Sequence, residues 1–354
     1  MRLPAPASPP AGQPVCPLVS VIVVNYNCLK WLDRFFPSLE QQTIFSRVEI
    51  IMVDNTSKDG SAAICEKKMA SLPNGVFLQT GGNYGFGGGS NRGAKIARGK
   101  YLFFLNPDVW LENNCLEELC SRAEAIPARV GCPKVLDYDT DAIQTQGSSG
   151  FDLFGNVVPV KPDEAPERLF SVGTFFFFER QLFEKLGGFD EEFFLYNEEM
   201  DLSWRAWLAD EPVVLFYTAR IHHQAVSSGN RFVETRTSET RRFYSNRNQL
   251  LTLLKNVRGP LLILVLTQLA LIAAEAAAGV IVSRRLSFVR WALLKPLAEC
   301  WRLRGHLGQQ RRRNRDLRRH GDAWFVRHFF RFAFGRMNDL KNLLHGRVKI
   351  DPPK

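Results

Sequence analysis

Between residues 19 and 108, short runs of β-branched and aromatic residues alternate with longer stretches of helical spacing, an order that few folds accommodate. The run Val19, Ser20, Val21, Ile22, Val23, Val24 stops at the turn-forming cluster Asn25, Tyr26, Asn27, and helical spacing follows from Leu29 to Leu39. Val48 to Val53 repeats the unit and ends at Asp54, after which Asn55, Ser57, Asp59 and Ser61 offer N-caps for a helix over 61–71. Val76 to Leu78 gives a shorter third strand, followed by a glycine-rich stretch from Gly81 to Gly93 in which Asn91 and Arg92 are expected to open a helix. Tyr101 to Leu105 is the strongest strand and delivers Asn106, Pro107 and Asp108. Strands joined through helices need crossover connections, so the chain reads as fold class α/β: a Rossmann-like, mostly parallel, buried sheet flanked by helices.

Acidic residues gather where such a fold binds ligands. In an open α/β sheet the crevice lies at the carboxyl ends of the strands, and Asp54 and Asp108 each lie beside an expected strand end. Glu198, Glu199 and Asp201 form a third acidic group at the start of a helix that continues through Trp204, Arg205 and Trp207. Each has an ordinary structural reading: Asp54 as a helix cap, the glutamates as a first turn complementing the helix dipole. The segment Gly85 to Gly89 superficially resembles a phosphate-binding loop. Dinucleotide fingerprints directly follow the first strand, and this segment lies well downstream, which excludes a Rossmann dehydrogenase. Phe175 to Phe178 reads as a buried strand, and Val213 to Phe216 as another that leads to His222 and His223.

The ordered series of Val19 to Asn27, Val53–Asp54–Asn55, the glycine-rich segment with Asn83 and Asn91, Leu105–Asn106–Pro107–Asp108, Gly187–Gly188–Phe189–Asp190–Glu191, Glu198–Glu199 with Asp201, and His222 resembles the inverting family 2 glycosyltransferases of the GT-A fold. The branch it most resembles holds the bacterial rhamnosyltransferases, and the likeness runs from about residue 18 to about 254. The resemblance implies a nucleotide-sugar donor with Asn25, Tyr26, Asn27 and Asn83 around the nucleotide, Asp54 at the pyrimidine base, and Asn91 beneath the sugar. It implies Asp108 as ligand of Mg²⁺ or Mn²⁺, which would stabilise charge on the departing diphosphate. Asn106 stands where the family usually has an acid; as a donor-binding residue it can ligate weakly or hydrogen-bond the ribose, but it brings one carboxylate fewer to the metal. His222 matches the histidine that closes the family's metal shell, with His223 as the alternative. An inverting transfer needs a base to deprotonate the acceptor hydroxyl; the family's second acidic position falls on Glu199, and its usual aspartate there leaves Glu198 open as well. The donor implied is dTDP-L-rhamnose and the acceptor a lipid-linked glycan of a bacterial cell-surface polysaccharide. A UDP-sugar, galactofuranose included, is the second reading, and a non-catalytic glycan- or membrane-binding scaffold the third.

Composition bounds the remainder. Residues 1–17 hold six prolines and neither a basic n-region nor an apolar h-region, so a flexible leader is expected there and not a signal peptide. Seven cysteines without a Cys-x-x-Cys pairing suit a reducing compartment and argue against a zinc site. From Pro260 to Val282 runs an apolar stretch of 23 residues with Glu275 as its single acid, long enough to cross a bilayer. The arginine-rich tail beyond it, interleaved with Trp291, Trp301 and Trp324, carries most of the net charge of +10. A spanning helix would place that tail across the membrane from the catalytic domain, against the positive-inside tendency. The expectation is therefore an in-plane or re-entrant arrangement on the cytoplasmic face of the bacterial inner membrane, with basic side chains at anionic headgroups and no role in nucleic-acid binding. The expected division is a leader (1–17), a GT-A domain (18–254) and a helical membrane-associating region (255–354).

Overall fold

The computed structural model describes residues 16–126, 128–224, 235–333, 335–345 and 348–350, so residues 1–15 of the expected leader lie outside the described residues. Four strands open the chain: β1 (Val19–Asn25), β2 (Val48–Asp54), β3 (Gly75–Gln79) and β4 (Tyr101–Leu105). They pair in parallel, β1 between β4 and β2, with β3 outside β2. Every residue of β1 and β2 is buried, which is why these strands read as continuous apolar runs. The register sets Asn25 opposite Asp54, so both end at the same rim of the sheet.

The second half of the sheet turns around. It contains β5 (Val109–Leu111), β6 (Val130–Asp137), β7 (Ile143–Thr145), β10 (Arg168–Leu169), β11 (Phe176–Glu179) and β12 (Val213–His223), while β8 (Ser148–Phe151) and β9 (Val157–Pro159) form a separate hairpin. Strand β11 is antiparallel to both β4 and β6, and β12 is parallel to β6 but antiparallel to β5. The sheet is thus mixed, parallel where helices cross over and antiparallel where β11 returns.

Helices α1 (Leu32–Glu40), α2 (Ser61–Ser71), α3 (Gly85–Ile96), α4 (Cys115–Ala125), α5 (Arg180–Leu186) and α6 (Glu198–Leu208) pack against the sheet, and α7 (Glu239–Asn256), α8 (Ile263–Ser283), α9 (Ser287–Val289), α10 (Lys295–Arg302), α11 (Arg304–Leu317), α12 (Asp322–Phe329) and α13 (Gly335–Leu344) follow it. Helix α3 begins at Gly85, six residues ahead of the expected start at Asn91. Each interior glycine costs about 1 kcal/mol of helix propensity, but the glycines let the helix lie directly on the sheet. A Cβ at Gly93 would stand 2.5 Å from Ile22, and one at Gly89 2.9 Å from Val24.

The expected boundary at 254 falls inside α7, and one hydrophobic cluster crosses it. Leu253, Val257, Leu261, Leu264, Phe325 and Phe329 pack together with Trp204 and Trp207 of α6 and with Phe176 and Phe178 of β11. A buried charge network reinforces the join. The Lys255 ammonium contacts Asp190 and Asp201, Arg205 Nε donates to Asp201 at 3.0 Å, and His306 of α11 bonds Asp190 at 2.9 Å. Asp201 is therefore a structural acid. Helix α8 turns Gln268 and Glu275 inward, the latter paired with Arg242 at 3.1 Å, and leaves outward Leu262, Ile263, Leu266, Ala270, Ala273, Ala277 and Ile281.

Candidate active site

The carboxyl rim of β1 and β2 carries a tight polar knot. Asn25 Nδ2 donates to Asp54 Oδ1 at 2.8 Å and lies near Ser57 and Ser61, while Asp54 Oδ2 accepts from the Ser57 amide at 3.0 Å. Asn25 and Asp54 are both fully buried. The structure thus places Asp54 at the buried rim of the sheet, with both carboxylate oxygens bonded and the 55–61 turn held by the Ser57 amide. Asn27 is likewise committed, at φ 55° with its side-chain oxygen accepting from the Lys58 amide, whereas Tyr26 is exposed. Asn83 accepts from the Gly85 amide at 2.9 Å and so caps α3. Asn91 exchanges bonds with both the N–H and the C=O of Phe189, which makes it a brace between α3 and the 187–191 loop. That double bond to the backbone leaves Asn91 little capacity for a sugar.

At the end of β4 Asn106 and Asp108 are partly buried, and Asp108 Oδ1 is a buried oxygen with no hydrogen-bond donor. The histidine facing Asp108 is His223, with Nε2 3.6 Å from Asp108 Oδ2. Its Nδ1 lies 2.6 Å from the Gln144 side-chain oxygen, and a proton on Nδ1 leaves the Nε2 lone pair toward Asp108. His222, the expected ligand, points the other way. It is buried, stacked on Trp110 with ring centroids 3.6 Å apart, and bonded to the Asp137 carbonyl. The reason is strand geometry: successive residues of β12 face opposite sides, so adjacent histidines cannot share a site. An orphaned carboxylate oxygen beside an imidazole nitrogen suits a divalent cation completed by oxygens of a diphosphate. Among the described residues no group of three or more His, Cys, Asp or Glu forms such a shell unaided.

The glutamate pair opens α6. Glu198 is buried, with Oε1 lacking a hydrogen-bond partner, and its pKa is pushed up to about 8, by burial first and by the neighbouring Glu199 second. Glu199 is partly exposed and is pushed up to about 7 by burial. A cavity of about 640 Å³ contains Glu199 and His223 on its wall, together with the neutral hydrogen-bonding groups Gln144, Ser171, Thr174 and Asn197. Just before the pair the backbone is contorted: Phe194, Tyr196 and Asn197 all have φ between 61° and 71°, which costs on the order of 1 kcal/mol or more per residue. Sequence reasoning missed Gln144, whose distance from the other motifs gave no signal, and the α7 residues bonded to this contorted loop.

A family model described as Glycosyl transferase family 2 matches residues 20–187. Among curated relatives, a low-salt glycan biosynthesis hexosyltransferase of Haloferax volcanii is 23% identical over 197 residues, 53% of this chain. The chain spans 61% of that relative's length. An N-acetylglucosaminyl-diphospho-decaprenol L-rhamnosyltransferase of Mycobacterium tuberculosis is 27% identical over 245 residues, covering 60% of this chain and 78% of its own length. Two solved structures share the fold: GalNAc-T7 with UDP, GalNAc and Mn²⁺ (TM-score 0.61, 16% identity, 87% of this chain and 56% of that one) and S. aureus TarS with UDP (TM-score 0.52, 16% identity, 84% and 88%).

Proposed function

Because residues 20–187 form a glycosyl transferase family 2 domain, we propose that the protein is an inverting, metal-dependent glycosyltransferase that moves a sugar from a nucleotide donor to a glycan acceptor. The observation that carries the reading is that a carboxylate titrating near 7 and the imidazole beside Asp108 open to one cavity. Glu199 takes the proton from the acceptor hydroxyl as that oxygen forms its bond to the anomeric carbon. The bond from that carbon to the diphosphate breaks on the opposite face, and its electron pair leaves with the diphosphate. Asp108 and His223 would hold Mg²⁺ or Mn²⁺, which supplies positive charge to the departing phosphate oxygens. Glu198 stays protonated at neutral pH and keeps a second negative charge away from the base.

The donor in this reading is dTDP-L-rhamnose and the acceptor a lipid-linked glycan, supported by the rhamnosyltransferase among the relatives. A UDP-sugar is the second reading, supported by the UDP in both structural neighbours. The neutral polar wall of the cavity suits the hydroxyls of an uncharged sugar. The apolar outer stripe of α8 and the basic segments after it suit an in-plane seat on a cytoplasmic membrane surface. Pulling α8 across a bilayer would strip Glu275 from Arg242, and an ionised acid at the bilayer centre costs roughly 3 kcal/mol or more. Purified protein incubated with dTDP-L-rhamnose, UDP-galactose and UDP-galactofuranose, with Mg²⁺, Mn²⁺ or EDTA, is the test. Mass spectrometry should show donor-specific, EDTA-sensitive release of nucleoside diphosphate; no turnover of any donor favours the scaffold reading.

A further inference from the structure

We infer that Arg247, Asn248 and Gln249, three consecutive residues of α7, are positioning residues that hold the 192–197 loop and so place Glu199 where it can take a proton from the acceptor. The inference rests on Glu199 being the base of the proposed reaction. The three side chains are buried. Neighbours on a helix diverge by about 100°, so their convergence on one loop means that the loop is laid across the helix and gripped from several sides.

Asn248 is the centre of the grip. Its Nδ2 lies 2.9, 2.6 and 2.8 Å from the carbonyl oxygens of Phe193, Leu195 and Tyr196. Arg247 Nε donates to Asn248 Oδ1 at 2.9 Å, which fixes the amide with its N–H groups toward the loop. The same guanidinium donates to the carbonyls of Glu192 and Phe193 at 2.6 and 2.9 Å. Gln249 accepts from Asn197 Nδ2 at 2.6 Å and donates to the Gly155 carbonyl at 2.6 Å, tying the loop to the turn of the β8–β9 hairpin. Asn197 immediately precedes Glu198 and Glu199, and its carbonyl accepts from the Asp201 amide as α6 begins.

The opposite side of the loop is equally confined. The Phe194 carbonyl occupies the space that a Cβ on Gly85 would fill, so the loop is wedged between α7 and the start of the glycine-rich helix. Left-handed backbone at Phe194, Tyr196 and Asn197 persists only when its surroundings over-determine it. The donors of α7 are those surroundings. Without them the loop can relax, more water reaches Glu199, and the burial that raises its pKa is reduced.

The experiment uses the full chain carrying Asn248→Leu, which keeps volume but removes both donors without adding a charge. Difference infrared titration, with Glu199→Gln as the reference, reads the Glu199 carboxyl without any substrate. The expected midpoint in Asn248→Leu is at least about one pH unit below that of the wild type. Transfer from dTDP-L-rhamnose should lose at least about tenfold in kcat with the donor KM held within about twofold, as expected for a misplaced base. A folded Asn248→Leu protein with the wild-type Glu199 midpoint overturns the inference. Should that variant not fold, Asn248→Ala removes the same donors with less bulk and is read against the same criterion. If the wild type turns over no donor, the reaction proposed above fails, and the infrared midpoint still decides the positioning role.

Discussion

Glu198 and Glu199 are consecutive residues with the same side chain but face different surroundings, which divides their chemistry. Only Glu199 reaches the cavity, and it must be ionised to act as a base. Its pKa near 7 means that kcat should rise with pH through about 7, with Glu199→Gln abolishing that limb and losing about 10²–10⁴ in rate. Glu198→Gln should keep the limb. Both folded pKa values lie above the ordinary carboxylate range, so the stability that these groups contribute is present in acid and is lost as pH rises toward 8. Calorimetry should therefore show Glu198→Gln raising Tm at pH 8 and leaving it nearly unchanged at pH 4. The histidines give a second prediction. His223→Ala should weaken Mn²⁺ binding in the presence of UDP or dTDP by titration calorimetry, while His222→Ala should spare the metal and lower Tm through the lost stack on Trp110. The places of Asp108 just beyond β4 and of Glu199 in the first turn of α6 were legible from the patterns of those two elements. The choice between His222 and His223 was not, since a one-residue ambiguity in the pleat reverses which side each faces. For Asp54 the strand end was legible from the sequence, and its bonds to Asn25 and the Ser57 amide were not.

Among the elements, α7 carries the densest set of long-range bonds. Lys255 near its end neutralises Asp190 and Asp201, holding Asp190 well below the usual carboxylate range, while the bond to Asp190 raises His306. Lys255→Met leaves two buried carboxylates short of their shared cation, and breaking such a pair typically costs 3–5 kcal/mol. Urea unfolding should report a loss on the order of 3 kcal/mol, larger than for any substitution on the exposed face of α8. The α/β alternation was readable from periodicity alone, and so were β1, β2, β4 and the helix over 61–71. The start of α3 was not, because glycine content argues against a helix until the sheet beneath it is known. Nor could the role of Asp201 be read, since an acid in a first helical turn looks the same whether it meets solvent or a lysine from 54 residues downstream.

At the scale of the whole molecule, the apolar run at 260–282 was visible in the sequence, but its partners were not. Length suggested a span; the inward Gln268 and the Arg242–Glu275 pair belong to a helix lying against protein on one side. Protein bound in-plane should be partly released from vesicles of anionic lipid by alkaline wash and loosened by high salt with mild detergent, because electrostatic attraction is screened over about 10 Å at 0.1 M. Cysteines introduced at the exposed positions 66 and 316, one before and one after the apolar run, should label from the same side of sealed vesicles. Labelling from opposite sides would overturn the in-plane arrangement.

The sharing of α7 has a consequence for how such a chain can be recombined. One face of the helix grips the loop ahead of the glutamates, and its residues Asn246 and Arg242 reach Ala292 and Glu275 of the helices beyond. A seam at 254 would leave the grip on the loop within the domain but part Asn246 from Ala292, Arg242 from Glu275, and Lys255 from Asp190 and Asp201. The natural seam lies just ahead of Ser238, whose hydroxyl caps the helix by accepting from the Arg241 amide. A chimera joined there exchanges the base's support and the membrane-facing helices as one inherited block, so a tail borrowed alone brings its anchor without the geometry that the partner domain needs.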